Sequence, residues 1–255
     1  MSASATTAGR REPLETMSRI AQCLARELAP ACTHEPLIVG SIRRKKANPG
    51  DVEIVAIPRL RPADVGQVPL FGPPDLVLEV WEVIEAMGRD RVQPILPGAP
   101  SAHQARKGKC PYPEDKGWPE KRLVTAEEQS KTPGLLPPGR RYFRLWLPKA
   151  SVRVDLFLAT VETWGLTVAI RTGPADFSRA LVERWTALTN GGHCHESRLH
   201  YPYTGRAGGA VSTSKFLGPV EPTRTEAEVF KALKLPWIDP EDRTVEALSR
   251  LRKAA

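Results

Sequence analysis

No stretch of this sequence approaches the roughly 18 consecutive apolar residues that a membrane span needs, because charge or proline interrupts every candidate run. The segment 1–11 has no apolar core, so it does not read as a secretory signal. Ser, Ala and Thr dominate it, and a short disordered tail is expected there. Cysteine is scarce as well: Cys23, Cys32, Cys110 and Cys194 form no CxxC pair. That pattern excludes a disulfide framework and predicts a reducing, cytoplasmic home. No internal repeat is visible. What remains is ordinary: 255 residues, 41% hydrophobic, with a mean hydropathy of -0.32. Such a chain can hold one large domain or two small ones, each with a proper core.

Charge is not scarce, and it is one-sided. The formal charge is +8 and the pI about 9.5, which points to an anionic partner. Between Ser101 and Ala150 eleven Lys/Arg face five Asp/Glu, a net of +6, and Arg43 to Lys46 are four consecutive cations. Nucleic acid is the partner that such patches predict, against the plainer alternative of a solvated basic face.

Periodicity organises the rest. Leu14, Met17, Ile20, Leu24 and Leu28 predict an amphipathic helix ending near Pro30. Leu37-Ile38-Val39 predicts a short buried strand, and Val52, Ile54 and Ala56, alternating with Asp51, Glu53 and Val55, predict a second. A helix is expected over Asp75–Met87. Residues 93–140, rich in Pro, Gly and charge, predict a long basic insertion or loop. Arg141–Leu147 and Ser151–Leu158 predict a hairpin around Pro148-Lys149. Phe177, Ala180, Leu181, Trp185 and Leu188 mark another helix, and Thr225 with Glu228 a capping box. The order reads as α+β, with a main sheet domain and a smaller C-terminal one.

The chemistry concentrates at Val39-Gly40-Ser41 and Asp51-Val52-Glu53-Ile54. Residues two apart on a strand share a face, so Asp51 and Glu53 present two carboxylates side by side. Like charges so close are costly unless a cation neutralises them, and hard oxygen ligands suit Mg²⁺ or Mn²⁺ far better than zinc. Asp155, with Arg153 on the same face, supplies a third carboxylate if its strand is a neighbour. Three converging carboxylates suit two cations about 3.5–4 Å apart, the geometry of in-line phosphoryl transfer. Gly40 lets the backbone approach a phosphate, Ser41 donates a hydroxyl, and Arg43 or Arg44 offers a planar cation. The bland alternative is a half-exposed strand edge beside an ordinary Gly-Ser turn.

At these residues the sequence resembles the polymerase-beta-like nucleotidyltransferases, and more closely the palm and thumb of the family X DNA polymerases. Gly40-Ser41-Ile42-Arg43-Arg44, Gly50-Asp51-Val52-Glu53, Arg153-Val154-Asp155, Thr172-Gly173 followed by Phe177, and Glu226 to Arg243 are similar to that family's ordered motifs. The resemblance implies a palm with a mixed β-sheet flanked by helices (12–165, carrying the basic insertion) and a small α+β thumb (166–255). It implies that Asp51, Glu53 and Asp155 bind two Mg²⁺ or Mn²⁺ ions and that Arg153 steadies Asp155. Ser41 and Arg44 would contact the outer phosphates, beside Gly40, while Thr172 and Gly173 would line the nucleotide pocket. The implied partners are a DNA primer–template and nucleoside triphosphates, with no membrane.

Three departures accompany the resemblance. Glu53 stands where family X usually has Asp. Ile170 and Arg171 replace two aromatics. Only 39 residues precede Gly40, too few for a lyase domain and fingers with DNA clamps, so lyase activity is not expected and a protein partner replacing the clamps is. The alternatives are a template-independent transferase acting on RNA, a protein or a small molecule, and a non-catalytic nucleic-acid-binding palm. His193-Cys194-His195 with His200 offers zinc-type ligands without a second half-site, so ordinary strand residues are the preferred reading. Tyr112 and Trp118 offer stacking surfaces for single-stranded bases.

Overall fold

A computed structural model describes residues 12–63, 76–95, 123–125, 127, 129, 136, 141–203 and 218–254. The expected tail, most of the basic insertion, Cys110, Tyr112 and Trp118 lie outside those residues. Helix α1 (Leu14–Leu28) buries Met17, Ala21, Leu24, Ala25 and Leu28 along one stripe. A 3₁₀ turn over Ala29–Ala31 ends it at Pro30, whose ring nitrogen has no hydrogen to extend the helix. The remaining elements are β1 (Leu37–Ile38), α2 (Gly40–Arg43), β2 (Val52–Ala56), β3 (Leu60–Pro62), β4 (Leu76–Leu78), α3 (Glu79–Ala86), β5 (Gln93–Ile95), β6 (Leu123–Val124), β7 (Tyr142–Leu147), β8 (Val152–Leu158), α4 (Trp164–Thr172), α5 (Ala175–Leu188), β9 (His193–His195), β10 (Arg198–His200), β11 (Val220–Glu221), α6 (Glu226–Ala232) and α7 (Val245–Ala254).

The main sheet has the strand order β1-β2-β8-β7-β5. Strands β2 and β8 run parallel while their other neighbours run antiparallel, so the sheet is mixed and the fold is α+β, as the sequence predicts. One alternation of its central strands, Val52, Ile54, Ala56, Val154, Leu156 and Leu158, packs into a core shared with α1 and α3. The opposite alternation carries Glu53, Asp155, Phe157, Tyr142 and Arg144 on the other face. Helix α4 covers only the far end of that face, where Val168 packs with Val55 and Phe157. A separate core, including Leu166, Phe177, Trp185, Leu199, Val229 and Phe230, holds a small C-terminal α+β unit. Its three strands run in the order β11-β10-β9.

Two expectations change. The expected helix over Asp75–Met87 starts only at Glu79; Leu76–Leu78 is a strand between β3 and β6 in a small second sheet. A run of three apolar residues fits either state, and cross-strand partners decided it. The expected insertion is not all loop: Gln93–Ile95 pairs with Arg144–Trp146 at the edge of the main sheet, and Leu123–Val124 pairs with β4. The hairpin of β7 and β8 and the Thr225 capping box both form where expected.

Candidate active site

The parallel pairing of β2 with β8 sets Glu53 directly opposite Asp155, and the antiparallel pairing of β7 with β8 sets Arg144 opposite Asp155. A row Glu53–Asp155–Arg144 therefore crosses the three central strands on one face. Asp51 precedes β2 on the same side, and its carboxylate accepts a hydrogen bond from Arg153 Nη2. Asp155 is buried and accepts from the Tyr142 hydroxyl at 2.9 Å and from Arg144 Nε at 2.9 Å and Nη2 at 3.4 Å. Arg153 Nε stands 3.7 Å from its other side. Arg153, expected from the sequence to steady Asp155, thus stands beside it but gives its hydrogen bond to Asp51.

Among the described residues Glu53 is the carboxylate left without such a partner. Burial, with Asp51 and Asp155 beside it, pushes its carboxyl up to about 7, and Arg171 and Arg44 pull it down only in part. Its side chain lies over Gly40: a Cβ at that position would fall on the Glu53 carboxylate, and Gly40 has φ +67°. Glycine is required there twice, by backbone conformation and by close approach of Glu53. The approach that the sequence led us to expect at Gly40 was that of a phosphate.

Ser41 follows Gly40 in α2, and its Oγ is buried with no hydrogen-bond partner among the described residues. The two arginines after it are anchored. Arg44 donates to the Thr172 carbonyl at 2.5 Å, and burial lowers its pKa against the pull of Glu53 and Asp51. Arg43 donates to Thr172 Oγ1 at 2.7 Å and bidentately to Glu226 at 3.1 and 2.8 Å. Glu226 also accepts from the fully buried Arg243 at 2.5 Å. Thr172 is thus buried and held by both arginines, and Gly173 gives the Phe177 ring room that a Cβ would take.

Asp51, Glu53, Asp155 and Arg153 come together on the sheet face, with Gly40, Ser41 and Arg44 at its edge and Thr172-Gly173 behind the arginines. Tyr142, Arg144, Arg171, Glu226 and Arg243 are the participants that sequence reasoning missed. For Tyr142 and Arg144 there was a signal, since they alternate with the buried Phe143 and Leu145. Arg171 lies 4.0 Å over the Phe157 ring, which stacks on Tyr142 at 5.1 Å.

Carboxylate oxygens, with a buried hydroxyl at Ser41 and an Arg153 Nε that have no hydrogen-bond partner among the described residues, are groups that a divalent cation and a phosphate would satisfy. As the side chains stand, no three His, Cys, Asp or Glu among the described residues are close enough to cage an ion, because arginines hold Asp51 and Asp155. A fit to such an ion would require those arginines to turn away. The histidines behave differently. His193 and His195 share the face of β9 opposite His200, with ring centroids 5.5 and 6.2 Å away, while Cys194 packs against the C-terminal core. They are strand residues of that unit, as preferred from the sequence.

Residues 167–244 match the family model for the DNA polymerase beta thumb. The match fits the small C-terminal α+β unit and supports a polymerase-beta-like protein with a DNA-binding theme. No curated protein matches the sequence. Among the described residues no helix is long and apolar enough to cross a membrane.

Proposed function

We propose that this protein is a metal-dependent nucleotidyltransferase of family X type. It would transfer a nucleotide from a nucleoside triphosphate to the 3′-hydroxyl of a DNA primer, with release of pyrophosphate. The observation that carries the reading is the in-register row of Glu53 and Asp155 on parallel strands beside Asp51, in a chain whose C-terminal unit matches a polymerase thumb.

Asp51, Glu53 and Asp155 are the residues that would hold two Mg²⁺ or Mn²⁺ ions. Bound there, such ions lower the pKa of an attacking hydroxyl and neutralise charge on the triphosphate. Arg153 releases Asp51 for this role and stays beside Asp155. Ser41 donates its hydroxyl to a phosphate oxygen. Arg44, held by the Thr172 carbonyl, keeps positive potential at the same edge. Thr172 lines the nucleotide side of the site through the two arginines it holds, and Gly173 beside it leaves room for Phe177. The domain division at 165/166 is part of the same reading, as is a protein partner that replaces the clamps.

The test is primer extension with Mg²⁺ or Mn²⁺, with and without template, offering all NTPs and dNTPs. Wild type is expected to extend the primer, and Glu53→Gln, which keeps shape and removes charge, to lose activity by orders of magnitude. An equally active Gln variant, or a wild type that transfers no nucleotide to any primer, sinks the reading.

A further inference from the structure

We infer that Arg144 and Tyr142 form a clamp on Asp155 in which Arg144 competes with a divalent cation for this carboxylate and Tyr142 holds it in place. The inference rests on the metal-binding reading of the site. Arg144 and Tyr142 sit two residues apart on β7, on the face that looks across to β8. Arg144 lies in register with Asp155 and gives it two hydrogen bonds, at 2.9 and 3.4 Å, while Tyr142 donates a third at 2.9 Å. Two of the three bonds end on Oδ1 and one on Oδ2. Both oxygens are therefore engaged from the β7 side, with Arg153 Nε 3.7 Å from Oδ2.

The two donors differ in what they can tolerate. A neutral hydroxyl and a carboxylate oxygen that also ligates a cation coexist readily, because the oxygen has more than one lone pair. A guanidinium at the same oxygens repels the cation by direct like-charge contact. Tyr142 is thus the positioning residue, fixing the carboxylate plane, and Arg144 is the competitor. Arg144 is 41% exposed, so water can solvate it when it swings off and the exchange costs little. The other carboxylates lack this arrangement: Asp51 is held by one arginine, and Glu53 accepts no hydrogen bond among the described residues. Asp155 is accordingly the last of the three to take a metal ion.

The experiment is Mn²⁺ binding to the full chain, followed by calorimetry and by the loss of the free Mn²⁺ electron-spin signal, with no nucleotide present. Arg144→Gln is expected to bind Mn²⁺ about three- to tenfold more tightly than wild type, the release of one charge-assisted pair. Arg144→Lys, which keeps the charge but not the fork, should fall between them. Tyr142→Phe should leave the affinity within about twofold, because the hydroxyl does not compete with the ion. Equal Mn²⁺ affinity in wild type and Arg144→Gln, with binding in both, overturns the clamp and leaves the metal site standing. Absence of Mn²⁺ binding in every variant, folded by circular dichroism, overturns the metal site and the clamp together.

Discussion

At Glu53 a single carboxyl carries a stability cost beside the metal-binding role we propose for it. Its pKa lies near 7 rather than the ordinary 4.5, because burial and two neighbouring carboxylates disfavour its charge. The folded protein therefore holds a proton that the unfolded chain has released between those values. Where the folded state binds more protons, stability falls as pH rises. The loss runs from about pH 4.5 to about 7, is complete above it, and is of order 3 kcal/mol for this group. Glu53→Gln, which mimics the protonated form, should melt higher than wild type at pH 8 without divalent ions and close to it at pH 5. Thermal melts of both proteins at the two pH values measure this. A variant no more stable at pH 8 would mean that Glu53 is not strained by its neighbours. The same substitution is expected to abolish transfer, so stability and activity move in opposite directions at one residue.

At the scale of elements, the pairs that a period defines were legible and those that a contact defines were not. Helix α1, strand β2 and the β7–β8 hairpin follow from spacing alone, as does the shared side of Asp51 and Glu53, whereas Asp155 joins them only through the pairing of β2 with β8. Helix α4 was not legible: Gly165 and the β-branched Thr167 and Val168 weaken its local signal, and its tertiary contacts decide it. Arg144 was visible as an outward strand residue, yet only the register of β7 against β8 points it at Asp155. Gly165 shows what that packing demands. A Cβ there would run into the backbone carbonyls of Thr223 and Thr225, which lead into α6. Alanine offers about 1 kcal/mol of helix propensity over glycine. Overpacking against backbone costs about 1–3 kcal/mol, so the clash prevails. Gly165→Ala should lower the denaturant midpoint, read by urea titration; a midpoint equal to or above that of wild type would refute this packing.

At the scale of the molecule, the carboxylate-bearing sheet and the C-terminal unit are joined by a charge network. Glu226, at the start of α6 and 8% exposed, accepts from Arg43 of α2 and from the fully buried Arg243. Two cations share one carboxylate, so neutralising Glu226 leaves both guanidiniums facing each other in a poorly hydrated place. Breaking a buried pair by removing one partner costs about 3–5 kcal/mol, far more than an exposed ion pair is worth. Glu226→Gln keeps the shape of the side chain and is expected to lose stability in that range. Arg43 also holds the Thr172 hydroxyl, while Arg44 beside it holds the Thr172 carbonyl. Loosening Arg43 therefore disturbs the Gly40–Arg44 edge at which we place the triphosphate, and nucleotide affinity should fall alongside stability. Urea unfolding of Glu226→Gln, Arg43→Met and the double variant checks the network: residues in direct contact should give a double-mutant loss well short of the sum. A Glu226→Gln variant within about 0.5 kcal/mol of wild type, or strictly additive losses, would show that the two units are not joined through this carboxylate.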